Sequence, residues 1–372
     1  MNLRITYVMA GLLGSGLMWT ACDRESGQAE AVDTPAVVAG LHTYYKDYFR
    51  MGVSVEPDAL QGDQAELITR EFASLTAENV MKMGPIHPAP DRFNWGPADR
   101  VVEFAREHHM AVRGHALCWH NQAPGWLFVD EAGGTVSKAV LLQRLQSHID
   151  SVAGRYREDI YAWDVVNEAI SDQADEVYRH SPWYQICGPD FIAEAFRYAH
   201  AAAPEAELFY NDYEVINPTK RQKIYEMVKG LVEAGVPIHG VGIQGHWSVY
   251  EPTEAELRKT LDLFTGLGLK VQITELDVSV YKKEHSLRER RPTDVDDFTP
   301  ELQAKQVAQY EMIFRVFREY GDKLNAVTFW NISDRHSWLD EFPVPGRKDY
   351  PLLFDENLEP KTAYRAITDF QP

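Results

Sequence analysis

Alternating apolar strands and amphipathic helices predict a (β/α)8 barrel, the TIM-barrel fold, as a single domain for most of this 372-residue chain. Eight short apolar or β-branched runs recur along the sequence, and six of the segments between them have helical periodicity. Two of these helices stop at a glycine, Gly235 and Gly268, directly before the next strand. The repeated strand–helix unit and the chain length together indicate a closed parallel barrel.

The elements follow one another in a regular order. The predicted strands are Met51–Val55, Glu71–Thr76, Ala111–Leu117, Tyr161–Asn167, Glu207–Asn211, Gly240–Gly245, Lys270–Glu275 and Ala326–Trp330. Each is short and almost uniformly apolar, as expected for parallel strands that are buried on both faces. The predicted helices are Ala98–Glu107, Leu141–Arg155, Asp190–Ala203, Thr219–Ala234, Glu254–Leu267 and Gln303–Tyr320.

Residues 1–21 are predicted to be a signal peptide. Arg4 supplies a positive charge, and Val8–Trp19 form an apolar stretch too short to span a bilayer comfortably. The following Thr20-Ala21-Cys22 resembles the bacterial lipoprotein signal, in which the cysteine is lipidated and becomes the first mature residue. Trp19 departs from the leucine-like residue usual there, so an ordinary secretory peptide or an uncleaved anchor remains the alternative. The protein is therefore predicted to be exported, either anchored on the periplasmic or cell-surface side of a membrane or secreted.

The segment after the signal is polar and acidic. Residues 22–38 lack the apolar side chains that a core needs, so they are predicted to form a flexible tether. Residues 39–372 are long enough for one large barrel, and no Gly/Pro/Ser-rich linker divides them.

The overall charge argues against polyanionic partners. The formal net charge is −19, and no basic run is long enough to neutralise a phosphate backbone, so nucleic acid is not expected as a partner. Arg288 to Arg291 are followed by several aspartates and are expected to lie in a solvated loop. Cys118 and Cys187 have no CxxC neighbour, which leaves either a disulfide between them or two buried thiols.

Polar and aromatic residues collect just past the predicted strand ends. They are Glu78, Asn79, His115, Trp119, Asn167, Glu168, Asn211, Asp212, Gln244, His246, Glu275, Asp277, Trp330 and Asn331. In a (β/α)8 barrel the loops at this face build the active site. A merely solvated rim would favour Lys and Glu over Asn, Gln, His and Trp, so the mixture indicates a functional site.

Two of these residues are glutamates that end buried strands. Glu168 follows the fourth strand and Glu275 ends the seventh, so their carboxylates would face each other across the barrel mouth. Such a pair is the minimum equipment for cleaving a glycosidic bond. Retention requires a separation of about 5–5.5 Å and inversion a larger one, and the sequence leaves this open. Carboxylates that close also split their pKa values, giving an ionised nucleophile and a protonated acid.

Aromatic and histidine side chains complete the predicted site. Aromatic planes suit the apolar faces of sugar rings, and the candidates are Trp119, Trp126, Trp330 and Trp338, with core packing as the alternative for each. Trp163 lies inside a strand and is assigned to the core. The spacing of His115, His120 and His246 is not that of a zinc helix, so no metal is expected and orienting hydrogen bonds are favoured.

From about Leu41 to its C-terminus the chain resembles the glycoside hydrolase family 10 endo-β-1,4-xylanases. The matching stretches are Ala77-Glu78-Asn79-Val80-Met81-Lys82, Arg113-Gly114-His115-Ala116-Leu117-Cys118-Trp119-His120, Trp163-Asp164-Val165-Val166-Asn167-Glu168, Asn211-Asp212-Tyr213, Gly242-Ile243-Gln244-Gly245-His246, Ile273-Thr274-Glu275-Leu276-Asp277, Thr328-Phe329-Trp330 with Ser333-Asp334, and Leu353-Phe354-Asp355 through Pro360-Lys361-Thr362-Ala363-Tyr364. Any one stretch is modest support, but their common order and spacing are highly specific.

The resemblance implies retaining hydrolysis of internal bonds in xylan or xylo-oligosaccharides, by a double displacement without a cofactor. Glu168 would be the acid/base and Glu275 the nucleophile. The sugar two places to the non-reducing side would be bound by Glu78, Asn79 and Lys82. The sugar at the cleavage point would be surrounded by side chains from five positions, namely His115, Trp119, Asn167, Gln244 and His246. Trp330 would stack on this sugar, Trp338 would close over it, and Tyr213 would be a further contact. We expect a monomer that meets a membrane only through its lipid.

Some positions depart from the family pattern. Met83 stands where many members have Trp, Asn331 where Gly is common, and Arg335-His336 where Lys-Tyr is frequent, which leaves subsite affinity open. The charged stretch Lys282–Thr299 is predicted to be a long loop beside the nucleophile. Such loops are often functional or disordered, and shaping the product-side subsites is one role open to it.

Two alternative functions are weighed against the xylanase. A non-catalytic xylan-binding protein would be expected to lose one glutamate, and both are present. A barrel hydrolase for another β-glycan is disfavoured by Glu78, Asn79 and Lys82 together with the tryptophan pair. Relative activity on xylan and on cellulose-type chains distinguishes a hydrolase of another β-glycan from a xylanase.

Overall fold

Eight parallel strands close into a barrel in the computed structural model, which describes residues 39–370. The strands are β1 (Arg50–Val55), β2 (Ser74–Ala77), β3 (Ala111–Trp119), β4 (Ile160–Asn167), β5 (Glu207–Asp212), β6 (Gly240–Ile243), β7 (His246–Ser248), β8 (Lys270–Ser279) and β9 (Leu324–Phe329). Neighbours pair in chain order except that β6 pairs with β8, and β9 pairs with β1 to close the ring. The short β7 lies outside this ring, beside the end of β8. The predicted (β/α)8 fold is confirmed.

The helices surround the barrel. They are α1 (Leu41–Tyr45), α2 (Gly62–Glu71), α3 (Met83–Ile86), α4 (Trp95–Glu107), α5 (Lys138–Arg155), α6 (Pro182–Cys187), α7 (Asp190–Ala202), α8 (Pro218–Glu233), α9 (Glu254–Thr265), α10 (Pro300–Tyr320) and α11 (Thr362–Thr368). The six helices predicted from periodicity are all present, with ends that differ from the prediction by at most three residues. The predicted signal peptide, Cys22 and the tether lie outside the described residues.

Several predicted strand boundaries differ from the structure, and three of them differ for clear local reasons. The sequence predicts the second strand from Glu71, but Glu71 ends α2, a helix that is missed because few of its residues are apolar. The sequence predicts a sixth strand that runs to Gly245, but the positive φ of 82° at Gly245 breaks the strand. The seventh strand is predicted to end at Glu275, whereas β8 continues to Ser279 because its end pairs with β7.

Close packing fixes the spacing of β3 and β4. Trp163 is fully buried on β4, which confirms its assignment to the core, and its ring lies against the backbone of Gly114 on β3. A Cβ atom at Gly114 would lie 2.1 Å from the nearest atom of that ring. Any larger residue at position 114 would therefore push apart two strands that end in the predicted site.

A charged pair occupies the interior of the barrel. Arg113 on β3 donates through both terminal nitrogens to the two carboxylate oxygens of Asp164 on β4. Its Nε donates to Oε1 of Gln272 on β8 at 2.7 Å, and Nδ1 of His115 lies 2.8 Å from Oδ2 of Asp164. Arg113 and Asp164 are 1% and 0% exposed, so this bidentate pair is shielded from solvent. Such a pair is tolerated only when its polar atoms are well satisfied, as they are here.

Two cysteines lie in the described part of the chain. Cys118 and Cys187 are free and buried, so the structure shows two buried thiols rather than a disulfide. Burial raises the pKa of Cys187 to about 11 and that of Cys118 well above its usual value.

Between residues 39 and 370, no group of three or more His, Cys, Asp or Glu side chains is placed to hold a metal ion. Within the same range, no helix combines the length and apolar character that a membrane crossing requires.

We predict that Arg113→Met lowers the free energy of unfolding by about 3–5 kcal/mol, because it leaves the buried Asp164 carboxylate without its guanidinium partner. The matched control is Arg106→Met, which removes a bidentate pair with Asp159 in which the arginine side chain is 62% exposed. That change should cost less than about 1 kcal/mol. Urea denaturation of the three proteins measures both differences, and equal losses would contradict a special role for the buried pair.

Candidate active site

Glu168 and Glu275 are linked through the amide side chains that lie between them. Glu168 directly follows β4, and Glu275 lies within β8. Gln244 donates from Nε2 to Oε1 of Glu168 at 2.9 Å, and Asn211 donates from Nδ2 to Oε1 of Glu275 at 2.9 Å. The side-chain amide of Asn167 lies 2.9 Å from that of Asn211 and 3.4 Å from that of Gln244. The two carboxylates therefore flank one connected group of amides.

Neutral N–H groups hold the Glu168 carboxylate. Besides Gln244, it accepts a hydrogen bond from Nε1 of Trp119, 2.8 Å from its Oε2. Nδ1 of His120 is 4.0 Å from the same oxygen, beyond hydrogen-bonding distance. Burial, assisted by the charge of Arg179, lowers the pKa of His120 to about 4, so this histidine is uncharged at neutral pH. The carboxylate thus has no cation in direct contact among these neighbours.

A cation contacts Glu275 directly. Nε2 of His246 lies 3.1 Å from Oε2 of Glu275, and Nδ1 of the same ring lies 2.7 Å from Oδ2 of Asp277. Burial by itself would lower the pKa of His246, but Asp277 and Glu275 outweigh it and raise that pKa to about 9. The imidazole is therefore a cation at neutral pH and donates from both nitrogens.

The ionisation of Glu275 follows from this contact. Burial would raise its pKa, but the hydrogen bond from His246 and the electrostatic influence of His115 outweigh burial and lower that pKa to about 2. Lys82 acts in the same direction. Glu275 is consequently an anion across the neutral range, as a carboxylate nucleophile must be.

The predicted residues Glu78, Asn79 and Lys82 form a second polar group beside the first. Nζ of Lys82 donates to Oδ1 of Asn79 at 2.9 Å, and its ammonium lies 4.9 Å from the centre of the Trp119 ring. Burial lowers the pKa of Lys82, while burial and the neighbouring charge of Glu56 raise the pKa of Glu78. This group extends the row of polar side chains from the two glutamates toward the end of β1.

Two residues that contact this second group were not among those predicted to bind sugar. Glu56 directly follows β1 and accepts a hydrogen bond from Nδ2 of Asn79 at 2.6 Å. Its position after a predicted strand was the signal that could have found it. Asn331, predicted to lie past a strand end and to depart from the family pattern, has a φ of 95° and donates from Nδ2 to Oε2 of Glu78 at 2.7 Å. Both residues orient side chains that were predicted to bind sugar.

The tryptophans divide between site and core. Trp330 lies edge-on to His115, with ring centroids 5.4 Å apart. Trp338 lies 4.8 Å from the His246 ring and donates from Nε1 to Oδ2 of Asp277 at 2.9 Å. Trp126 instead donates to the carbonyl oxygen of His87 and packs against the core, so the core alternative holds for it.

Tyr213 is linked to Glu168 by Arg179, which belongs to a cluster of charged groups. Its hydroxyl donates to Asp172 and accepts from Nη2 of Arg179 at 2.7 Å. The ammonium of Lys220 lies 3.4 Å from the centre of its ring. Nε of Arg179 also donates to the carbonyl oxygen of Glu168 at 3.1 Å, which links this cluster to the site.

Ion pairs tie down the loop at 282–299. Arg288 pairs with Glu284 and Asp294, which accounts for the local basic patch noted in the sequence. Lys283 donates to the carbonyl oxygen of His246 at 2.8 Å and pairs with Glu214. The loop is therefore attached to His246, the residue that helps to keep Glu275 ionised.

Comparison with known proteins agrees with this geometry. The model of the family described as "Glycosyl hydrolase family 10" matches residues 40–370. Endo-1,4-beta-xylanase B of Paenibacillus barcinonensis is 43% identical over 330 residues, which cover 89% of this chain and 98% of the relative. An endo-1,4-beta-xylanase of Geobacillus stearothermophilus is 46% identical over 332 residues, covering 89% and 98%.

Solved structures give the same result. The crystal structure of xylanase XynB from Paenibacillus barcinonensis, in complex with a conduramine derivative, has a TM-score of 0.85 at 43% identity and covers 89% of this chain and 98% of that one. The structure of an endo-1,4-beta-xylanase from Caldicellulosiruptor owensensis has a TM-score of 0.86 at 44% identity, covering 90% and 100%. This chain therefore belongs to glycosyl hydrolase family 10.

Proposed function

We propose that the protein is an endo-1,4-β-xylanase that hydrolyses internal β-1,4-xylosidic bonds of xylan or xylo-oligosaccharides with retention of configuration. One observation carries the proposal: two glutamates flank a shared group of amides but differ in their contacts. Glu275 contacts the cationic His246, and Glu168 is held by neutral donors. Unequal environments are what separate a nucleophile from an acid/base. The xylanase names of its relatives support the substrate class.

In the first step, the Glu275 carboxylate attacks the anomeric carbon while Glu168 protonates the oxygen of the departing sugar. A covalent glycosyl ester forms on Glu275 as the glycosidic bond breaks. In the second step, Glu168, now a carboxylate, removes a proton from water as the water oxygen attacks the same carbon. The ester bond breaks, Glu275 is regenerated, and the β-anomer is released.

The remaining side chains bind and orient the sugars. Glu78, Asn79 and Lys82 would bind the sugar two places from the cleavage point. The hydrogen bonds from Lys82 to Asn79 and from Asn331 to Glu78 preorganise these side chains for its hydroxyls. His115, Trp119, Asn167, Gln244 and His246 would surround the sugar at the cleavage point, with Tyr213 nearby. Stacking on Trp330 and closure by Trp338 favour xylose, because a glucose hydroxymethyl group would meet these rings. The 282–299 loop would shape the product side.

We also propose the targeting inferred from the sequence: a signal peptide at 1–21, a lipid on Cys22, a tether at 22–38 and a monomeric catalytic domain at 39–372. Cells fed labelled palmitate should label the wild-type protein and leave Cys22→Ala unlabelled. The same variant should move from the membrane fraction to the soluble exported fraction. Label retained by Cys22→Ala would refute the lipid site.

The direct test of the activity is a time course on xylohexaose followed by proton NMR. We expect xylobiose and xylotriose with the β-anomer appearing first, because a double displacement retains configuration. Cellohexaose is the matched substrate that carries hydroxymethyl groups, and it should be cleaved far more slowly. Binding of xylohexaose without cleavage would favour the non-catalytic alternative. Faster cleavage of cellohexaose would favour the hydrolase of another β-glycan.

Variants of the two glutamates should behave differently. Glu275→Ala should abolish turnover of every substrate, because the covalent step has no other nucleophile. Glu168→Ala should lower kcat/KM on xylan by about 10²–10⁴-fold but spare aryl xylosides with activated leaving groups, which need little protonation. Glu158→Ala, on an exposed glutamate just before β4 and therefore at the opposite end of that strand from Glu168, is the control and should match the wild type. Equal losses on both substrates would remove Glu168 from the acid role.

A further inference from the structure

The backbone at Glu168 adopts an uncommon conformation. Its φ of 57° lies in the left-handed region, which residues other than glycine rarely enter. Such a conformation persists only where the surroundings determine it. Here the N–H of Glu168 donates to the carbonyl oxygen of Asn211 at 2.9 Å, and its own carbonyl oxygen accepts from Arg179 at 3.1 Å. The direction of the carboxyl group therefore depends on what holds this turn.

The hydroxyl of Tyr210 holds the next two residues of the chain. It accepts hydrogen bonds from the backbone N–H groups of Ala169 at 3.0 Å and Ile170 at 3.2 Å. Tyr210 lies on β5 and is fully buried, so its hydroxyl replaces water as the partner of both donors. One side chain thus fixes the backbone directly after Glu168.

Two charged residues orient that hydroxyl. Tyr210 donates to Oδ2 of Asp212 at 2.5 Å, and Oδ1 of Asp212 lies 2.9 Å from Nζ of Lys220. Lys220 belongs to the first turn of α8 and also lies 2.8 Å from Oδ1 of Asp172. Lys220 is 4% exposed and Asp212 is fully buried, so the contact is shielded from solvent and fixed in direction. Helix α8 is connected in this way to the turn that carries Glu168.

We propose that Tyr210, Asp212 and Lys220, here called the Tyr210 relay, are positioning residues that aim the acid/base carboxyl at the glycosidic oxygen. The inference rests on the proposed role of Glu168. Within residues 39–370, two side chains donate hydrogen bonds to that carboxyl, Trp119 and Gln244, so its direction depends largely on the backbone that carries it. A displacement of about 1 Å at a reacting group lowers the rate about 100-fold, which makes this backbone support functionally important.

The first test is Tyr210→Phe, which removes the hydroxyl and keeps the ring. We expect kcat/KM on xylotetraose to fall about 100-fold, because proton donation to a sugar leaving group needs an aligned acid. On 2,4-dinitrophenyl β-xylobioside, kcat/KM should stay within about threefold of the wild type, because this leaving group needs little protonation. On the same substrate kcat and KM should fall together, because hydrolysis of the glycosyl-enzyme needs Glu168 as general base and the intermediate therefore accumulates. Azide should restore kcat, because it attacks without base assistance.

A second variant and a control separate positioning from folding. Lys220→Met keeps the Tyr210 hydroxyl but releases Asp212, and it should show the same selective loss to a smaller degree. It decides the question if Tyr210→Phe does not fold. Tyr45→Phe removes another buried hydroxyl, which donates to the carbonyl oxygen of Ile367, and should lower stability without changing the ratio of the two substrates.

The outcomes are distinct. A selective loss on xylotetraose in the relay variants and an unchanged ratio in Tyr45→Phe support the relay. Equal losses on both substrates, or no loss in either folded relay variant, would overturn it. Wild-type protein that cleaves neither substrate would refute the proposed function itself, a result that is recognisable before any variant is compared.

Discussion

The pairing of Arg113 with Asp164 inside the barrel is the interaction on which the rest of the structure depends. Both groups are shielded from water, so each is tolerable only because the other is present. The planar guanidinium also reaches Gln272, and the carboxylate also holds His115, so the pair joins three strands. A barrel filled only with apolar side chains would not prescribe where His115 points. Here the core prescribes it, and His115 in turn helps to keep Glu275 ionised.

Two residues of one type are thereby given different chemistry. Glu275 is in contact with His246, and Asp277 on the far side of that ring keeps the imidazole charged. Glu168 meets an indole and an amide, which stabilise a carboxylate without supplying a full positive charge. This difference in environment depends on carboxylates that do not contact the glutamates themselves. Asp277 holds the His246 ring, and Asp164 holds the His115 ring. The arrangement resembles metal sites, where outer residues fix the tautomer and orientation of an inner histidine.

The sequence predicted those features that depend on local pattern. Parallel strands buried on both faces are near-continuous apolar runs, so their positions and the polar residues at their ends were recognisable. Helix α2 was missed because few of its residues are apolar, and Glu71 was misplaced with it. The contact between Glu56 and Asn79 joins residues 23 positions apart, and the buried state of Lys220 depends on helix docking. Neither leaves a periodic signal, because both are decided by tertiary packing.

The two buried thiols have a consequence for how the barrel tolerates its surroundings. A cysteine reacts with oxidants and alkylating agents as the thiolate, and burial with a raised pKa suppresses that form of both Cys118 and Cys187. Because residues 39–370 reach this fold with both sulfurs reduced, native packing does not depend on an oxidising compartment. Reagents that modify thiolates therefore find little to attack at either of these two positions.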